Sequence, residues 1–242
     1  LDGAKKLNNY TRNMKRTIVI GLFLAGLWSL QGQVVYNPNI AIRPSPSMSV
    51  YKVEINESTT TVVVRIINDK QLPPFSIKSK ALFIRPVSDA NKLRLKSSDK
   101  APFAPAQHVF TSRNEIFEFT LVFPALPRNT KYFDLLEESS AREFYLQGII
   151  LDPTLNKLVT TGFQAYARGD RNGALAAFIE MANADLYFEY GLVFFNIIYL
   201  LTEANRIPEA QEWYDKYKER FFYDKALYDN EFVRLGIRQK LK

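Results

Sequence analysis

The chain has 242 residues and a formal charge of +7, with nearly half of its residues apolar and no cysteine. Such a length and apolar content allow one large domain or two modest ones with real cores, and they exclude a disordered tail. The absence of cysteine excludes disulfides, thiolate metal sites, thiol catalysis and lipid attachment through an N-terminal cysteine.

The basic excess does not point to nucleic acid. Residues 1–33 carry five bases and one acid, and from Leu155 onward twelve bases cancel twelve acids. A nucleic-acid binder needs its bases gathered on one surface or groove. Lys15 and Arg16 precede an apolar run at 18–28 and a small or polar run at 29–33. These are the three parts of a secretory signal peptide. The apolar run is short of the roughly 20 residues that span a bilayer. Residues 1–33 are therefore expected to be an upstream extension followed by a signal peptide starting at Met14, cleaved near Gly32 or Gln33, with an uncleaved anchor as the alternative. Residues 34–49, with Pro38, Pro44 and Pro46 among serines, read as an extended tether or a first irregular edge strand.

From Val50 to Leu151 the periodicity is two. Tyr51, Val53 and Ile55 alternate with Lys52 and Glu54, and Val62, Val64 and Ile66 alternate with Thr61 and Arg65. Phe75, Ile77, Ala81 and Phe83 are expected along one face of a third strand, and Leu93 and Leu95 mark a short one. Phe117, Phe119, Leu121 and Phe123 form another, and Phe144, Leu146, Gly148 and Ile150 close the series. Alternation rich in β-branched and aromatic residues predicts half-buried strands, and residues 50–152 are expected to form a β-sandwich of immunoglobulin-like type. The closing part, from Phe119 to Leu151, is similar to the end of small β domains at the front of exported bacterial proteins. Some of those continue into thioredoxin-like domains, but no C-x-x-C follows here, so that activity is not implied.

Candidate chemistry in this half is thin. His108 is the one histidine, and it reads as a surface or edge-strand residue without a partner to orient it. Glu137 and Glu138 read as a solvated turn with Ser139 and Ser140, since adjacent carboxylates point apart. Tyr51, Tyr132 and Tyr145 could stack on sugars or serve as cross-strand packing.

After Asp152 and Pro153 the period becomes helical, with Thr154 as the expected N-cap. Leu155, Leu158, Val159, Gly162, Phe163 and Tyr166 lie on one stripe, and Gly169 ends that helix. Ala174, Leu175, Ala177, Phe178 and Met181 make a second stripe. The almost wholly apolar run from Leu192 to Leu201 reads as a buried inner helix rather than a membrane span. Asn205 is the equivalent of Gly169, Pro208 opens the next helix, and Ala210, Trp213, Tyr214, Tyr217 and Phe221 form its stripe. A last helix is expected from Asp224, with Leu227, Tyr228, Phe232 and Leu235 inward and Arg238, Lys240 and Lys242 at its end.

Gly162, Gly169, Ala174 and Phe178, with Asn205, Ala210 and Tyr214, stand at the spacing of a tetratricopeptide repeat (TPR), and Ala174 and Ala210 are 36 residues apart against a family period of 34. The chain departs from the pattern at Leu158, Ala165 and Ile198 and lacks the proline that closes each repeat. Residues 153–242 thus resemble a short TPR-like array with a C-terminal capping helix, and the expected architecture is multidomain, β followed by α. In that family the first helix of each repeat lines a groove for a peptide or a neighbouring domain. The resemblance implies a groove of Asn156, Val159, Thr160, Phe163, Tyr166, Leu192, Phe195, Asn196 and Tyr199, free or filled by the chain's own β half. No cofactor or metal is implied. The expected function is that of a non-catalytic protein exported to the periplasm or cell envelope of a Gram-negative-type bacterium. It would hold a protein or peptide partner, bind no nucleic acid and have no integral span after signal removal. The alternatives are a carbohydrate- or peptidoglycan-binding module acting through the sandwich, and a hydrolase with a site that no motif declares.

Overall fold

The computed structural model describes residues 32–87, 89–138, 144–184 and 189–241. The expected leader from Met14 to residue 31, the Ser139–Ser140 turn and Lys242 lie outside the described residues. Among the described residues, two antiparallel sheets of five strands come first. One holds β1 (Gln33–Tyr36), β3 (Met48–Ile55), β4 (Thr59–Ile67), β8 (Ile116–Pro124) and β7 (Ser97–Asp99), in that spatial order. The other holds β2 (Ile40–Ile42), β10 (Tyr145–Ile150), β9 (Tyr132–Glu137), β5 (Leu82–Pro86) and β6 (Leu93–Arg94). The inward side chains of both sheets, among them Val62, Val64, Phe119, Phe123, Leu82, Phe133, Leu135 and Leu146, share one core.

The alternation in β4 and β8 is as expected, with Val62, Val64, Ile66, Phe119, Leu121 and Phe123 buried. Elsewhere the phase slips. A register shift between Val50 and Lys52 turns Val50 and Val53 inward and leaves Tyr51 half-buried, under the Arg65 guanidinium 3.9 Å from its ring centre. The expected third strand is two pieces. Phe75 and Ile77 make only isolated bridges, to His108 and Phe103. The Ser79 hydroxyl then accepts the Ala81 N–H at 3.0 Å, a local bond that turns the chain before β5 begins. Residues 34–49 are no free tether, because they supply the edge strands β1 and β2, with Val35 and Ile40 packed against the shared core. Glu137 is not in a solvated turn either. It ends β9 at 4 % exposure and accepts N–H bonds from Ser79 at 2.5 Å and Phe144 at 3.3 Å. Glu138 is exposed, and Arg94 and Lys92 hold its carboxyl down at about 2.

Five helices follow among the described residues: α1 (Pro153–Ala167), α2 (Arg171–Ala184), α3 (Leu192–Glu203), α4 (Ile207–Glu219) and α5 (Lys225–Arg234). The cap of α1 is Asp152, not Thr154, since its carboxylate accepts the N–H groups of Thr154 and Leu155 at 2.9 and 3.0 Å. Proline at the first helical position needs no donor there, so the cap falls one residue before Pro153. Gly169 (φ 82°) and Asn205 (φ 56°) are both left-handed, closing α1 and α3 in the same way. At Gly162 α1 lies tight against α2, where a Cβ would stand 2.7 Å from the Phe178 ring. No described helix is long and apolar enough to cross a membrane, and α3 is an inner helix with Val193, Phe194, Ile197, Ile198 and Leu201 buried.

The last helix is shorter than expected. It ends at Arg234, so Arg238 and Lys240 lie beyond it. Only Tyr228 and Phe232 point inward, while Leu227 and Leu235 are exposed. Phe221 lies past the end of α4 and is 68 % exposed.

One buried carboxylate joins the two halves. Asp134 of β9 is fully buried and takes four donors: Gly148 N (2.9 Å) and Tyr190 Oη (2.6 Å) on one oxygen, Arg85 Nε (3.2 Å) and Nη2 (3.0 Å) on the other. Burial, with the adjacent carboxylate, pushes the Tyr190 phenol far above its ordinary value, so it remains a donor. The bulge between Leu146 and Ile149 brings Gly148 into this contact. At φ 64°, a Cβ there would lie 2.8 Å from both Ala41 and the Tyr190 ring, so only glycine fits. Tyr190→Phe is expected to cost about 2 kcal/mol, the worth of a hydrogen bond to a charged group, read as a lower urea midpoint at neutral pH. An unchanged midpoint would show that Arg85 and Gly148 suffice.

Asp224, just ahead of α5, is a less satisfied carboxylate. Its Oδ1 accepts Gly191 N at 2.7 Å, whereas its buried Oδ2 has no hydrogen-bond partner among the described residues. Burial raises its pKa to about 6. The folded state therefore favours the protonated form, and this contribution to stability is complete below about pH 4 and lost as the pH rises through about 6. Asp224→Asn should raise the unfolding free energy by about 2 kcal/mol at pH 7.5 and leave it unchanged near pH 4. Paired denaturation curves at the two pH values check this.

Candidate functional site

The nine residues expected to line a groove fall into four groups. Asn156 and Thr160 are occupied by the chain itself. The Asn39 N–H and side-chain amide donate to Asn156 Oδ1 at 2.8 and 3.1 Å, and the same amide reaches Thr160 Oγ1 at 3.0 Å. The Asn156 amide in turn donates to the Ile150 carbonyl at 2.6 Å. The link between β1 and β2 thereby closes the first turns of α1. Val159 is 2 % exposed and belongs to the core. Leu192 lies with Phe163 in a hollow of about 470 Å³ against β2, beside Asn39 and Arg43.

The other five come together. Phe163, Tyr166, Phe195, Asn196 and Tyr199 line a recess of about 360 Å³ between α1, α2, α3 and α5. Phe178 supplies part of its floor, with the Phe163 ring edge-on to it at 5.3 Å. Phe195 is wedged between Tyr228 at 4.9 Å and Phe232 at 5.2 Å, so α5 sets the depth of the recess. The rim is polar. Arg171 lies 4.1 Å from the Tyr166 ring centre and 3.5 Å from Glu203. Glu203 accepts the Tyr199 hydroxyl at 2.6 Å, and Glu231 pairs with Arg234 on the opposite lip at 2.6 Å. The bond to Glu203, followed by the contact with Tyr166, raises the Tyr199 pKa, so this phenol is a hydrogen-bond donor and not a base. An apolar floor inside a ring of already paired charges can receive apolar side chains without stripping water from a free ion.

Glu231, Arg234 and Leu235 also line the recess and were not foreseen there. No sequence signal marked them, since Leu235, one turn after Glu231, falls on the apolar stripe of the expected helix. The helical pattern drew Leu235 into the core, whereas the buried residues of α5 are Tyr228 and Phe232.

The remaining candidates are structural. Of the two places expected for His108, surface or edge strand, it takes the second, half-buried in an isolated bridge to Phe75, but it does have a partner. Its ring stacks on Phe117 with centres 3.8 Å apart, and Nε2 lies 2.8 Å from Glu115. Glu115 also accepts the Thr111 and Ser112 N–H groups, and these bonds, that from Thr111 foremost, hold its carboxyl down at about 2. The cluster fastens the loop before β8. Tyr132 is buried at 8 %. Comparison with protein-family models, with curated proteins and with solved structures returned no match.

Phe163 is 40 % exposed and Phe195 sits against two rings of α5, so their truncations should separate. Phe163→Ala is expected to cost under about 1 kcal/mol and Phe195→Ala about 3 kcal/mol, measured by chemical denaturation.

Proposed function

We propose that the chain is a non-catalytic exported protein of a Gram-negative-type bacterial envelope that holds a protein partner. In this reading residues 14–33 are its signal peptide. The paired sheets are an immunoglobulin-like sandwich, and the helices are a short TPR-like array that α5 caps. The repeat relation rests on the equivalent left-handed turns at Gly169 and Asn205 and on the sequential packing of α1 to α4.

The observation that carries the reading is the recess between α1, α2, α3 and α5. Its volume of about 360 Å³ suits one or two apolar side chains on a short segment of another protein, at the small end of the range for ligand pockets. Phe163 and Tyr199 are the residues a partner would meet first, and neither is a main support of the core.

A photo-crosslinking amino acid at position 163, in cells producing the full chain, should give a discrete adduct identifiable by mass spectrometry. The same adduct should fade when Tyr199→Ala is added while the thermal midpoint stays within a few degrees. If position 163 yields no adduct, or one that also forms from an exposed position on β7, partner holding through the recess is wrong.

A further inference from the structure

The second sheet has an outward face that the helices cover only in part. At one end Tyr132 and Ile150 enter the helical core, and Tyr190 seals Asp134. At the other end the paired residues Phe83, Leu136 and Tyr145 form one row across three strands. With Arg85 and Gln147 they floor a cleft of about 750 Å³, which Tyr223 walls and Lys92 and Glu138 rim.

Three features narrow what could bind there. β5, β9 and β10 are inner strands, with backbone groups engaged in the ladder, so an extended peptide cannot be recognised by strand addition. Charges at the cleft are already paired, Arg85 with Asp134 and Lys92 with Glu138. That leaves little net attraction for an ionic ligand but does leave N–H groups and lone pairs for hydroxyls. Finally, Tyr223 is 45 % exposed and is braced edge-on by Phe221 at 5.1 Å. An aromatic face of that kind attracts the weakly positive C–H face of a pyranose. Gln147 is half-buried on β10 and lines the cleft, and its side-chain amide can both donate to and accept from a sugar hydroxyl.

We propose that this cleft binds a short neutral oligosaccharide, stacked on Tyr223 and hydrogen-bonded by Arg85, Gln147 and Glu138. The site is separate from the helical recess, and either can fail without the other. The full chain is applied to an array of neutral α- and β-linked hexose and N-acetylhexosamine oligomers, and the best binder is then titrated by calorimetry. Tyr223→Ala should weaken that binding about tenfold and Gln147→Ala several-fold, whereas Phe163→Ala in the recess should leave it unchanged. Near-wild-type thermal midpoints for the variants establish that they are folded, and Tyr223→Phe, which keeps the ring, should bind like wild type. Absence of binding to every neutral glycan overturns the proposal. So does capture of acidic glycans only, or binding that both Tyr223→Ala and Gln147→Ala retain.

Discussion

The Asp134 carboxylate is the contact on which the relation of sheets to helices depends. Taking a carboxylate wholly out of water costs several kcal/mol. Here four donors from three separate segments offset that cost, with Arg85 on β5, Gly148 on β10 and Tyr190 at the foot of α3. An apolar residue at this place could pack against the helices in several ways. A buried acceptor with fixed lone-pair directions accepts one arrangement, because each misplaced donor leaves a buried polar group unpaired.

Much of the local detail follows from that requirement. β10 bulges so that the Gly148 N–H reaches the carboxylate, and residue 148 must lack a Cβ so that the Tyr190 ring can lie over the strand. A second seam, from Asn39 to Asn156 and Thr160, ties the opening turns of α1 to the link between β1 and β2. With Asn156 and Thr160 taken up by that seam, the helical face keeps a recess between α1, α2, α3 and α5. Beyond Tyr190 the outward face of the second sheet is left open as a cleft. One buried ion pair and one asparagine seam thus decide which surfaces remain available to ligands.

The fold was legible in the sequence wherever the pattern was local. β4 and β8 could be read residue by residue because one face of each is core along all or most of its length. The caps at Gly169 and Asn205 could be read because few other residues adopt φ near +60°. Phase was lost wherever a single residue changed the register, as at the bulge between Val50 and Lys52 and at the Ser79 turn, since one inserted residue moves every later side chain to the other face. Five of the nine expected site residues meet in the recess. Of the other four, Asn156 and Thr160 are taken up by Asn39, over 100 positions away, Val159 lies in the core and Leu192 lines the hollow against β2, none of which helical periodicity can register.

The order of elements, with short alternating strands and then amphipathic helices around one almost wholly apolar helix, was set by nearest-neighbour chemistry: turn residues, caps and the periods of 2 and 3.6. Tertiary structure decided which polar residues are buried and which apolar ones are left outside. Glu137 looks like a surface carboxylate in a linear reading, and Leu227, Leu235 and Phe221 look like core. Their places are reversed because burial depends on what crosses above a residue. In this protein that is the helical half laid over one end of a sheet, held there by hydrogen bonds to a charge that no local pattern distinguishes from any other aspartate.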